Sequence, residues 1–140
     1  MVKASWILIT IVAVLTLAAG VASTSVAYFG KDDEFGQGGA KLSEVAKERP
    51  ELATAVRSRR ATSAVYAVGW ATFLLFVTLG PYRRGEKWAW WAILTATVVP
   101  AALSALRVPL LGTWLGVGPA LTQAGVIVLG LLLDVRRLKA

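Results

Sequence analysis

Pro81-Tyr82-Arg83-Arg84-Gly85-Glu86-Lys87-Trp88-Ala89-Trp90-Trp91 separates two long apolar runs, and its reading decides the fold. Three cations, one glycine and three tryptophans within eleven residues suit a tight turn at a membrane surface. Charges then lie among the headgroups, aromatic rings at the water–lipid boundary, and apolar chain beyond on both sides. Arg83, Arg84 and Lys87 can meet anionic headgroup phosphates. Glu86 is expected in the first turn of the next helix, where the helix dipole favours an anion. Trp88 and Trp91 share a helix face at i, i+3, with Trp90 turned away.

Working outward, the whole chain follows the same logic. Of its 140 residues, 56% are hydrophobic, above the roughly 45–50% of soluble chains. The length suits one domain. A soluble domain interleaves its polar residues at period 2 or 3.6; here they fall into a few short blocks, as in an integral membrane protein. The formal charge of +7 therefore reads first as basic loops and tails against anionic lipid. It does not read as a nucleic-acid surface, because no basic stripe with interleaved exposed aromatics marks a soluble binding module. Cysteine and histidine are both absent. Their absence removes disulfides, thiol redox chemistry, Cys/His zinc sites and His- or Cys-ligated haem. The commonest general acid–base group and every Cys- or His-based nucleophilic pair go with them.

Four apolar spans are expected, at about residues 4–29, 61–80, 88–106 and 110–133. The first is also open to reading as a secretory signal, with small residues around Ala18–Ala22 as a cleavage region, although the apolar run exceeds the usual signal length. Thr16, Gly20 and Thr24 recur at i, i+4 and would let another helix approach closely. The polar segment 30–60 begins with Lys31-Asp32-Asp33-Glu34 and Gly36-Gln37-Gly38-Gly39, which read as a loop. From Lys41 the pattern turns helical, with Leu42, Val45 and Ala46 on a thin apolar face. Pro50 ends that short helix and opens one long helix to about Gly80. Its first turns would project from the membrane and carry Arg57, Arg59 and Arg60, either as headgroup anchors or as an anion site.

Trp70 falls mid-span, where its indole N–H needs a partner. Ala92, Ala96, Pro100 and Ser104 form a second small stripe, with Pro100 expected to kink the third span. Trp70, Pro100 and Ser104 could line a cavity between helices. Arg107 is expected to end that span and Pro109 to break the helix. Gly112 and Gly116 form a GxxxG that Ala120 and Ala124 extend along one expected helix face, for packing within the bundle or against a second chain. Asp134 closes the fourth span, and Arg136, Arg137 and Lys139 make a basic tail.

The expectation is thus an all-α, four-helix integral membrane bundle forming a single domain over residues 1–140. A polar loop with a short helix joins spans one and two. Lys3, Arg83, Arg84, Lys87, Arg136, Arg137 and Lys139 fall on one side. The other side holds seven bases in the long loop plus Arg107. The first set is concentrated in short segments at span ends, which places both termini in the cytoplasm of a multi-pass cell-membrane protein.

The helix start at Pro50-Glu51-Leu52 after a polar loop, and Arg84-Gly85-Glu86-Lys87-Trp88-Ala89-Trp90 between spans two and three, carry a resemblance. The layout, over most of the chain, resembles a recurring kind of small uncharacterised bacterial four-span integral membrane protein. That resemblance implies a four-helix membrane domain and brings no activity, ligand or catalytic residue with it. The stretch Asp32–Gly39 reads as peculiar to this sequence.

No Asp, Glu, Lys or Arg lies inside an expected span, whereas proton relays and coupled transporters use such groups. Ser23, Ser25, Thr72, Thr95, Thr97, Ser104 and Thr122 are available there, none with a base beside it in sequence. No catalytic, cofactor-binding or metal-ligating residue is assigned, and no cofactor is expected. The expected role is a non-catalytic accessory, assembly or scaffold protein. Its partners would be membrane lipids and either a larger membrane protein complex or further copies of itself. The alternative is a lipid- or apolar-ligand protein, carrier or enzyme, with a cavity inside the bundle.

Overall fold

The computed structural model describes residues 2–30 and 41–139. The Lys31–Glu34 and Gly36–Gly39 loop expected from sequence lies outside the described residues, as do the side chains of Lys3, Arg137 and Lys139. Every element among the described residues is helical: α1 (Val2–Phe29), α2 (Leu42–Glu48), α3 (Pro50–Val77), α4 (Lys87–Ala105), α5 (Arg107–Leu111) and α6 (Val117–Leu132). A π turn over Thr78–Tyr82 prolongs α3, and a 3₁₀ turn over Val135–Lys139 follows α6. Three stretches are long and apolar enough to cross a membrane: Ala4–Phe29, Pro50–Tyr82 and Lys87–Leu111, with mean hydropathies of 2.3, 1.7 and 1.6. The fourth apolar helix, Val117–Leu132, is shorter.

Proline and glycine place the boundaries. Arg49, ahead of Pro50, sits at φ −142° and ψ 80°, outside the α region that the ring of a following proline disfavours. Its amide closes α2 on the Val45 carbonyl, while its own carbonyl accepts from Leu52 and Ala53 and so starts α3. Pro81 has no N–H to give the carbonyl four residues back, so one bond of the α ladder is lost there. The chain widens to a π turn there. Gly85, at φ +95°, then reverses the chain where a side chain would be strained.

The fourth span departs from expectation. Pro109 does not break the helix: α5 carries it, within the first turn of a short helix where no amide is needed. The break comes at Gly112, which caps α5 at φ +64°, and the chain does not resume as a helix until Gly116, at φ +76°, has passed. The helix in the stretch expected as a fourth span therefore begins at Val117, not Leu110.

The chain divides into two compact units, Met1–Val14 with Thr72–Ala140, and Leu15–Ala71. In the first, α4 packs chiefly on α6. The buried line of α4 is Ala89, Ile93, Thr97 and Ala101, one residue off the expected Ala92–Ser104 stripe. On α6 it is Val117, Ile127, Gly130 and Leu131. Ile9 of α1 lies over Gly130, where an added Cβ would sit 3.2 Å from its Cγ1. In the second unit Gly20 meets α3 directly: a Cβ there would lie 2.9 Å from Val68 Cγ2 and 3.3 Å from the Val68 amide nitrogen. That is the close approach expected of the Thr16–Gly20–Thr24 stripe.

Candidate functional site

The π turn that Pro81 forces delivers Tyr82 to the interior of the first unit, fully buried. Its hydroxyl lies 2.5 Å from the buried Ser5 Oγ of α1. Ser5 donates its single hydroxyl hydrogen to the Gly130 carbonyl of α6 at 2.6 Å. A serine has one hydrogen to give, so Tyr82 must be the donor to Ser5. Beside these bonds the indole N–H of buried Trp90, in α4, donates to the Leu131 carbonyl at 3.1 Å.

Gly130 and Leu131 belong to the last turn of α6, where carbonyls run out of intrahelical amides; that of Leu131 also accepts from the Asp134 amide at 3.1 Å. Ser5 and Trp90 therefore cap that helix from two other helices. One end of the unit gathers the start of α1, the end of the α3 extension, the start of α4 and the end of α6. Asp134 is buried just beyond.

Several cations lie close to these residues in the chain. The Arg83 guanidinium sits 4.8 Å from the centre of the Trp6 ring, a cation–π distance. Arg84 Nε pairs with Glu86 Oε1 at 3.2 Å, and the Trp88 indole donates to Glu86 Oε2 at 2.6 Å. The Glu86 side chain makes no cap bond to the backbone of α4. Glu86 stands at the N-cap, one residue before the first turn where it was expected, and bridges Arg84 and Trp88. Lys87 and Arg136 are exposed. Trp88 and Trp91 are both exposed while Trp90 is buried, and the Trp90 and Trp91 rings meet edge to face at 4.9 Å.

The other sequence candidates separate. Gly112 and Gly116 lie in the turn before α6, so the expected four-residue face does not form along one helix. Left-handed dihedrals, which glycine adopts freely, end one helix and precede the next. Ala120 and Ala124 are half-buried on α6, on the same line as Val117 and Ile127. Trp70 is half-buried on α3 in the second unit, while Pro100 is exposed and Ser104 half-buried on α4 in the first. An open apolar concavity of about 220 Å3 lies in the second unit, lined by Val21, Thr24, Ser25, Val65 and Val68.

Sequence reasoning missed Ser5, Tyr82 and Gly130 as a group. The available signal was Pro81 near the end of a long helical pattern. A proline there shifts the register of the residues after it, and Tyr82 is the first of them.

Comparison with protein-family models, curated proteins and solved structures returns no match. The helices themselves define the class: an all-helical membrane protein whose first, second and third apolar helices are each long enough to cross the bilayer.

Proposed function

We propose that the chain is a four-span protein of the cell membrane with both termini in the cytoplasm, acting as an accessory, assembly or scaffold component. The reading keeps the likeness to small bacterial four-span membrane proteins. The observation that carries it is the bonded helix end, with Arg83, Arg84, Lys87 and Arg136 close by in the chain to the side chains that hold helix ends together. Ser5 and Trp90 cap α6, and Tyr82 bonds Ser5. Large apolar side chains such as Leu15, Tyr66, Phe76 and Leu103 remain exposed along the spanning helices, available to lipid or to a partner's helices.

Each basic residue near an anionic leaflet contributes on the order of 1 kcal/mol. Replacing Arg83, Arg84 and Lys87 together by Gln should raise the inverted or mistargeted fraction, read by an impermeant label at Lys139→Cys. An unchanged topology with normal lipid association counts against the anchoring role. Mild-detergent capture followed by protein and lipid mass spectrometry tests the wider reading. It should return anionic phospholipid together with a larger membrane complex or further copies of the chain.

The concavity of about 220 Å3 beside Val21 and Val68 favours a second reading, an apolar-ligand protein. It is smaller than the roughly 300 Å3 at which ligand pockets usually begin, so it suits a segment of acyl chain. A single lipid species retained stoichiometrically, and lost in Val68→Trp, would favour it.

A further inference from the structure

Between α5 and α6 the chain presents apolar side chains outward around a turn. Leu110, Leu111, Trp114 and Leu115 are 73, 71, 65 and 57% exposed. They cluster around a reversal set by the left-handed Gly112 and Gly116. Much of the backbone here is satisfied internally. The Leu110 amide bonds to Leu106, Gly112 to Val108 and Val117 to Trp114, all near 3.0 Å. The Leu115 amide takes the Thr113 hydroxyl at 3.2 Å. Arg107 reaches back with its guanidinium to the Leu115 carbonyl at 3.4 Å. Closed backbone bonds with apolar side chains outside suit a low-dielectric surround and waste an aqueous one.

Helix lengths put the turn at the boundary. Lys87–Leu111 has 25 residues, which at 1.5 Å per residue span about 37 Å, more than the roughly 30 Å hydrocarbon core. Its far end therefore reaches or passes the interface opposite the Pro81–Lys87 turn. The 16 residues of α6 cover only about 24 Å. A crossing at that position leaves its first few ångströms of hydrocarbon to the turn.

We infer that residues 107–117 form a lipid-inserted wedge. Leu110, Leu111, Trp114 and Leu115 enter the acyl boundary of the leaflet opposite the basic turn, and Arg107 sits at the headgroups while holding the Leu115 carbonyl. The wedge completes the depth that α6 lacks, and in this it rests on the four-span reading. It is a second lipid contact, of a different kind from the charged end.

The chain has no cysteine, so single labels are unambiguous. Leu111→Cys, Trp114→Cys and, as an aqueous reference, the exposed Lys47→Cys each receive a nitroxide. The full chain is reconstituted in vesicles of phosphatidylethanolamine and phosphatidylglycerol. At 111 and 114, oxygen should broaden the signal more than a water-soluble nickel chelate, with the reverse order at 47. Nickel access at 111 and 114 equal to that at 47 overturns the wedge. So does exclusion of both reagents with spin–spin broadening that vanishes on dilution with unlabelled chain, which would put a second copy over the turn. Each position serves as the control for perturbation at the other. Whether α6 crosses is decided separately by an impermeant thiol reagent at Lys87→Cys and Lys139→Cys. Labelling from opposite sides removes the four-span reading, while the depth at 111 and 114 still decides whether the turn meets lipid.

Discussion

The interiors of the two units are built from different materials. The first buries Ile9, Leu74, Tyr82, Ile93, Ile127 and Leu131 completely and ties three helices with hydrogen bonds through Ser5, Tyr82 and Gly130. Among the described residues, those buried in the second are Gly20, Ala27, Leu42, Ala53, Ala61, Ala64 and Ala71, nearly all small. In lipid the apolar side chains gain nothing from leaving water, so helices associate through close packing and polar contacts. The two units divide these means between them. One brings backbones together through missing side chains; the other fixes helix ends with a few directed bonds.

The largest expected effect breaks the small-residue contact. Gly20→Leu places a Cβ 2.9 Å from Val68 Cγ2 and 3.3 Å from a backbone nitrogen that cannot swing aside. Overpacking of this kind should destabilise by about 3 kcal/mol, read as a lower midpoint on titrating SDS into mixed micelles. A midpoint within error of the parent would mean that the second unit does not depend on close approach.

Ser5→Ala breaks the other interior. It removes the partner of both the Tyr82 hydroxyl and the Gly130 carbonyl, and should cost about 1.5 kcal/mol. Tyr82→Phe leaves the Ser5–Gly130 bond intact, so it should cost less, about 0.6 kcal/mol, near the mean for hydrogen bonds between membrane helices. The order of the two variants is the sharper test. If Tyr82→Phe proves the costlier, the Tyr82 hydroxyl contributes more than its bond to Ser5.

Gly116→Ala asks whether the glycine serves packing or conformation. At φ +76°, with open space except for Arg107 Nη1 at 3.3 Å, the cost should be backbone strain of about 1 kcal/mol. Capture of any partner should be unaffected. Loss of a partner without loss of stability would restore a contact role to that glycine. The smallest effect is expected in the opposite direction. Thr97 is buried, and its hydroxyl has no hydrogen-bond partner among the described residues. Thr97→Val keeps the shape and removes the stranded group, so stability should hold or rise by up to about 1 kcal/mol. A clear fall would reveal a bond made by that hydroxyl.

The small contact was legible in sequence and the hydrogen-bonded node was not. Thr16, Gly20 and Thr24 repeat at helical spacing on one segment, so the absence of bulk along one face can be counted directly. Ser5, Tyr82, Trp90 and Gly130 span much of the chain, and nothing in their local surroundings marks them as neighbours. Their meeting depends on helix registers, and the π turn shifts the register just before Tyr82. The Gly112–Gly116 spacing misled for a related reason. A GxxxG is a face only if the residues between the glycines are helical, and here the glycines themselves take the dihedrals that interrupt the helix.

By itself the sequence determined the helical class, the apolar segments long enough to cross a membrane, and the charged turn between the second and third. Those outcomes stem from how each segment partitions between water and hydrocarbon, a property summed over neighbouring residues. Tertiary structure alone decided where the fourth helix begins, which α4 face is buried, and which side chains cap α6. These depend on single dihedral angles and on directed bonds between residues distant in the chain. Such terms are worth about a kilocalorie each, too little to leave a pattern in composition yet enough to choose among helix registers that lipid solvates equally well.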